Sequence, residues 1–234
     1  VKIEAQSLEG VLSGIVLEVP FFQRPYVWKK ENWEELLNDL LGTGASHFLG
    51  SIILKEQDNG ASKLKKYLIV DGQQRLTTLS ILMKALYDCM ENERSNIFDS
   101  ITRILFYKEL PSDSNHKIIL NHSHNDNSQF KEVIGVVKDR EILSSIIEEL
   151  DGINIEDDTQ KSLIKKSYKY FYNKLSKLYK ENSEEVVSFC NKLLNSSEIL
   201  AVIFLDKNDS EQKIFDSINT SGIRLSATDT IKNA

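Results

Sequence analysis

In the stretch Asp71-Gly72-Gln73-Gln74-Arg75-Leu76-Thr77-Thr78, one carboxylate, two amides, one guanidinium and two hydroxyls gather within eight positions. The chemistry that such a set suits is the holding of an anion. The four residues before it, Tyr67-Leu68-Ile69-Val70, are apolar and largely β-preferring. Beyond it, apolar residues recur at Leu76, Leu79, Met83, Leu86 and Met90. That spacing predicts a strand, a tight turn at Asp71-Gly72, and a helix with one face in a core. The first backbone N–H groups of such a helix lack intrahelical partners and carry partial positive charge. Asp71 answers that charge, whereas Arg75, one turn in, opposes it. Two readings follow: Asp71 and Arg75 close the turn as a self-satisfied pair, or the N–H groups and the guanidinium together hold an outside anion such as a phosphate.

A second unusual stretch is Phe21-Phe22-Gln23-Arg24-Pro25-Tyr26-Val27-Trp28. Pro25 bars Arg24 from helical geometry and removes one backbone donor, so an extended loop is expected. Four aromatics surround one arginine and one glutamine. They form either a hydrophobic plug under the loop or rigid walls that aim Arg24 at a ligand.

The elements that must position these residues are legible in outline. A short helix over 7–14 leads into a strand over 15–20, and a helix from Lys30 buries Trp33, Leu36, Leu37, Leu40 and Leu41 before a C-cap at Gly42. Gly42-Thr43-Gly44 follows a helix and precedes a strand, the reverse of the order a phosphate loop needs. Phe48 to Leu54 reads as a strand buried on both faces, with Gly50 marking a close approach by another backbone or a ligand. A polar turn over 57–66 returns the chain to Tyr67. Past Glu91 helical patterns dominate, over 127–136, 139–150, 158–181 and 184–195. The third carries seven lysines and no acid between Lys161 and Lys180, either a phosphate-tracking face or a solvated helix side. A last strand over 199–205 precedes a helix over about 210–219; Ser226 to Asp229 then reads as a Ser-x-x-Asp capping box opening another helix. A chain that stops at Ala234, inside a fresh helix, is expected to be a piece of a longer protein.

The 234 residues, 41% hydrophobic, suffice for one large or two small domains. No run of about 18 apolar residues occurs and no signal-peptide core opens the chain. A cytoplasmic protein with no membrane partner is expected. Cys89 and Cys190 sit in helical patterns without paired spacing and are read as reduced thiols, not a disulfide framework or zinc knuckle. A net charge of −6, from 29 basic and 35 acidic residues, argues against a surface coated for indiscriminate nucleic-acid binding and leaves room for a local basic groove. Asn121 to Asp126 holds two histidines, with His116 nearby, but its spacing matches no standard metal-ligand set.

Three motifs stand in one order: Gln23-Arg24-Pro25-Tyr26-Val27-Trp28, then Asp71 to Thr78, then Ile214 to Gly222 with Leu225-Ser226 and Asp229. Joined by Phe48-Leu49-Gly50-Ser51, this set resembles the N-terminal domain of the GmrSD-type, modification-dependent restriction proteins, from Leu8 to Asn233. The resemblance implies an α+β fold with a small ParB/sulfiredoxin-like mixed sheet and flanking helices. Residues 1–92 would form the nucleotide-binding core, 93–196 a mainly helical insertion, and 197–234 the strand and helices completing the core. It also implies nucleotide binding and hydrolysis in a bacterial anti-phage system. Modified or phage DNA would be the target, and a C-terminal His-Asn-His nuclease domain or partner subunit, unmatched in this chain, would do the cutting.

Under that resemblance Arg75, Gly72 and the backbone at Gln73 and Gln74 would hold the phosphates of an NTP, with Gln23 and Arg24 reaching over as a second contact. Asp71 would hold Mg²⁺ or orient Arg75, and Gln73 or Gln74 would position water. Thr77 and Thr78 offer hydroxyls, and Asn219 belongs to the third motif with Ser221 and Asp229. Tyr26 and Arg24 would touch DNA. The competing expectation is a ParB-like module that binds nucleotide or DNA as a conformational signal without turnover. A purely structural role for both arginine motifs stands behind the two.

Overall fold

In the computed structural model, the described residues are 1–42, 48–60, 64–90, 96–110, 112–122, 125–135, 147–148, 151–157, 162–197 and 199–210. The chain begins with β1 (Lys2–Gln6), α1 (Leu8–Leu12), β2 (Ile15–Glu18), α2 (Lys30–Leu41), β3 (Ser51–Glu56), β4 (Lys65–Asp71) and α3 (Gln73–Cys89). It continues through α4 (Asn96–Leu105), β5 (Phe106–Tyr107), β6 (Lys117–Ile118), β7 (Leu120–Asn121) and α5 (Asn125–Ile134). Then come α6 (Leu163–Glu181), α7 (Ser183–Asn195) and β8 (Leu200–Leu205). The fold is α+β.

Six strands form one mixed sheet in the order β1-β8-β3-β4-β2-β7, and β5 pairs with β6 apart from it. β3 and β4 are antiparallel neighbours with a bulge between Ile53 and Leu54, whereas β8, distant in sequence, lies parallel to β3 and antiparallel to β1. The two-residue period shows at β3. Ile52 and Leu54 join the main core, while Ile53 faces the other way and packs with Ile203 and Leu205. The strand is thus buried on both faces, as its unbroken apolar run requires.

The sequence predicts one buried face for α3, but the helix is buried all round: every residue from Leu76 to Asp88 is inside. Helices α4, α5 and α6 pack around it. Its mean composition is only weakly amphipathic because polar side chains find partners inside the fold. Lys84 and Asp88 form a buried ion pair one turn apart, and the Tyr168 hydroxyl donates to Asp88 Oδ2 at 2.6 Å from α6. Burial lowers the pKa of Lys84 and the Asp88 carboxylate opposes that shift. The segment read as a helical insertion also gives β7 to the sheet, beside β2.

Several expectations change. Leu41 is 38% exposed rather than buried, because α2 presents only Trp33, Leu36, Leu37 and Leu40 to the core. Strands β1, β5, β6 and β7 carry no strong sequence signal; the last three are two residues long. The lysines of α6 do not form a free face. Lys165 pairs with Glu132, Lys166 donates to Asp157 O, and Lys169 donates to Asp151 O and Ile153 O. Lys177 pairs with Glu181, and Lys174 lies over the Tyr170 ring. This helix spends much of its charge on pinning the 151–157 segment and its own neighbours. Cys190 is buried and Cys89 half-buried, both as free thiols that burial pushes up to about 12. Among the described residues no helix is long and apolar enough to cross a membrane.

The expected helix over 139–150, apart from residues 147–148, lies outside the described residues. So do Ser123, His124 and the whole third motif, with Asn219, Ser221, Ser226 and Asp229.

His122 is buried at 5% exposure against the Phe130 ring, its Nε2 within hydrogen-bonding distance of Thr77 Oγ1 at 3.1 Å. Burial lowers its pKa from 6.5 to about 4, so the folded chain keeps the ring neutral where the unfolded chain protonates it. The stability this preserves is complete above pH 6.5 and is lost as pH falls toward about 4. The expected loss is about 3 kcal/mol across that window. Urea denaturation at a series of pH values checks it: in His122→Gln the same window should show a flatter slope.

Candidate anion-binding site

Strand β4 hands over to α3 through Gly72, whose φ of 90° lies in the left-handed region. A Cβ there would stand 2.4 Å from Ile52 Cγ2, so conformation and space both require glycine. No side chain caps the helix. The first intrahelical bond closes from Leu76 N–H to Gly72 O, and the N–H groups of Gln73, Gln74 and Arg75 have no partner among the described residues. Asp71 is exposed and does not cap them.

Arg75 is half-buried, one turn into α3. Its Nη1 donates to Ser51 O at 2.7 Å, the one hydrogen bond it makes among the described residues. The guanidinium lies flat on Gly50: a Cβ at that glycine, whose φ is +106°, would stand 2.9 Å from Nη2 and 3.0 Å from Cζ. The close approach marked by Gly50 is therefore made by a side chain rather than by a backbone. Burial lowers the Arg75 pKa, and Asp71 opposes the shift as a nearby charge without forming an ion pair. The self-satisfied Asp-Arg turn is not what this junction builds. Gly50→Ala is expected to cost about 1–3 kcal/mol through backbone strain and to displace the guanidinium. Thermal unfolding and a crystal structure of the variant check both effects.

The aromatic-arginine loop is fastened to this junction by amides. Gln23 Nε2 donates to Val70 O at 3.1 Å, Gln73 Nε2 to Arg24 O at 3.0 Å, and Gln74 Nε2 to Pro25 O at 3.1 Å. Gln74 Oε1 accepts from Val27 N–H at 2.9 Å. Both ends of Gln74 are thus consumed, which removes it as a water-positioning group. Gln73 keeps only its buried Oε1 without a hydrogen-bond partner.

Of the four aromatics, Trp28 lines the pocket with Arg24 and the other three turn elsewhere. Phe21 and Phe22 are 74% and 65% exposed and pack edge to face on each other. Arg24 itself is exposed. Tyr26 turns into the core instead. Trp33 Nε1 donates to its hydroxyl at 2.9 Å, which lies 2.7 Å from Thr78 Oγ1, and Thr78 donates to Gln74 O at 2.8 Å. Burial pushes the Tyr26 phenol up to about 12. At 3% exposure its ring is not open to DNA, which corrects the contact expected of it. Thr77, fully buried and beside His122, is likewise closed to a phosphate.

An open pocket of about 180 Å³ is lined by Gln23, Arg24, Trp28, Asp71, Gly72, Gln73, Gln74 and Arg75. The fold therefore brings the first two motifs to one place. Two arginines and three N–H groups without a partner among the described residues outweigh one carboxylate there, an arrangement suited to an anion. For Mg²⁺ the site offers one carboxylate, Asp71, which suffices only for an ion that keeps waters and takes further oxygens from a phosphate. Among the described residues no group of three or more His, Cys, Asp and Glu side chains stands ready to hold a metal.

Sequence reasoning missed Asp126. From the first turn of α5 its Oδ2 accepts from Tyr26 N–H at 2.7 Å, across one hundred residues. Burial raises the pKa of this carboxyl, and the bond from Tyr26 opposes the rise. No local pattern could have paired the two.

A mixed-sheet α+β domain with an uncapped glycine-helix junction facing an arginine-bearing loop defines the class of module. The profile of the family described as "GmrSD restriction endonuclease, N-terminal domain" matches residues 6–234, and the chain belongs to that family. It is thereby a module of the restriction-system kind. It is also similar to the uncharacterized protein MJ0686 of Methanocaldococcus jannaschii, 25% identical over 243 residues. That similarity covers 91% of this chain and 38% of the relative, so the chain spans well under half of the relative's length.

Proposed function

We propose that the pocket binds the phosphates of a nucleoside triphosphate and that the domain acts as the nucleotide-dependent sensor of a cytoplasmic restriction system. The observation that carries this reading is the half-buried Arg75, fixed by one bond to Ser51 O, beside the N–H groups of Gln73 and Gln74, which have no partner among the described residues. Arg75 and these N–H groups would take phosphate oxygens, and the exposed Arg24 would close over them. Mg²⁺ would arrive with the nucleotide, with Asp71 as its protein ligand. Modified or phage DNA would meet Arg24 without Tyr26, and cleavage would belong to a His-Asn-His nuclease domain or partner.

Hydrolysis is the finer part of the reading. The anchored glutamines favour the alternative in which nucleotide is bound and sensed without turnover. A water-aligning role would fall to the exposed Asp71, since Gln74 is spent on the loop and Gln73 Oε1 is buried. Calorimetric titration with ATP, GTP and inorganic tripolyphosphate, each with Mg²⁺, should show saturable binding by this chain. Phosphate release in the same mixtures separates the two forms, and absence of binding to all three ligands rejects both.

A further inference from the structure

The loop that carries Arg24 has no strand neighbour for its backbone, yet four of its backbone polar groups are satisfied by side chains. The carbonyls of Arg24 and Pro25 accept from Gln73 and Gln74, and Val27 N–H donates to Gln74. The remaining group, Tyr26 N–H, donates to Asp126. Three of these bonds come from α3, the helix whose N-terminus forms the pocket floor. The fourth comes from α5, beyond both motifs.

An acidic residue in the first turn of a helix needs no partner to be favourable. Asp126 has one nevertheless: a charge-assisted bond of 2.7 Å to a backbone N–H two residues from Arg24. Helix α5 is also tied to α3 nearby, through His122 beside Thr77 and Phe130 against the His122 ring. It packs on α6 as well as on α3. Asp126 thus links the placement of α5 to the backbone from which Arg24 projects, beside the three bonds that hold the same backbone to α3.

We propose that Asp126 is a positioning residue for Arg24, tying the phosphate affinity of the pocket to the placement of α5. This rests on the reading of the pocket as a phosphate site. Asp126 touches no ligand; it fixes the loop from which the second arginine reaches over the first. The helical segment around α5 thereby becomes the part of the domain through which a partner or target can set nucleotide binding.

A double-mutant cycle on the full chain tests this, with inorganic tripolyphosphate as the probe. Asp126→Ala should weaken binding about tenfold when Arg24 is present and have little further effect in Arg24→Ala. Asp126→Asn, whose side-chain oxygen still accepts from Tyr26 N–H, should recover most of the loss. Equal losses with and without Arg24, or no loss at all, would overturn the proposal. Exchange of the Tyr26 and Val27 amides gives a readout independent of any ligand. Faster exchange in Asp126→Ala sustains the latch even if tripolyphosphate fails to bind, a failure that would count against the phosphate reading alone. Unchanged exchange overturns the latch itself.

Discussion

Replacing Lys84 with methionine is expected to remove about 3–5 kcal/mol of stability, enough to bring a domain of ordinary stability close to unfolding. The side chains of Lys84 and Asp88 are 1% and 5% exposed, so water cannot solvate the carboxylate once its ammonium partner is gone. The Tyr168 hydroxyl stays, but a neutral hydrogen bond is weak beside the buried ion pair that is lost. The penalty belongs to removing one partner of a buried pair rather than to the net worth of the pair. Accordingly Lys84→Met with Asp88→Leu should recover most of the loss. The residual cost in that double variant would include a share from the Tyr168 hydroxyl, at about 1–3 kcal/mol for a buried donor without a partner. Adding Tyr168→Phe should remove that share. Urea denaturation of the three variants gives the series directly, and a single variant no less stable than the parent would contradict the account. The pair sits near the far end of α3 from the pocket, so it anchors the helix whose other end carries Arg75.

Arg75→Ala is expected to weaken binding of a triphosphate by about 2–5 kcal/mol, roughly 30-fold to a few thousand-fold. The guanidinium rests on Gly50 and bonds to Ser51 O, so its cost of ordering is met before a ligand arrives. Removing it strips the floor of its fixed cation but leaves the N–H groups of α3 in place. Arg75→Lys should recover only part of the loss, because an ammonium cannot bond Ser51 O and present a planar fork to an anion at once. Isothermal titration with inorganic tripolyphosphate reads the affinity, and thermal unfolding of the same samples separates binding from stability. Binding that survives Arg75→Ala unchanged would move the site elsewhere.

The junction itself was readable from the residues. An apolar run, an Asp-Gly turn and a three-four spacing specify β4, Gly72 and α3, because strand and helix periods are written in consecutive side chains. Gly50 was also legible as a crowded position, since a glycine inside an apolar strand pattern has few other uses. The short pairings were not. β7 is two residues long, and β8 reaches its place between β1 and β3 only through the packing of the whole sheet.

By itself the sequence determined that an arginine stands one turn into a helix that opens from a glycine, and that a second arginine lies in an extended loop. Only the tertiary structure decided that Gln73 and Gln74 clamp that loop, that Tyr26 turns inward while Phe21 and Phe22 turn out, and that Asp126 closes the last backbone bond. The physical reason is range. Burial periodicity is a local property of the chain, whereas a polar side chain bonds whatever the fold brings within about 3 Å of it. In this protein those partners lie from 47 to 100 residues away.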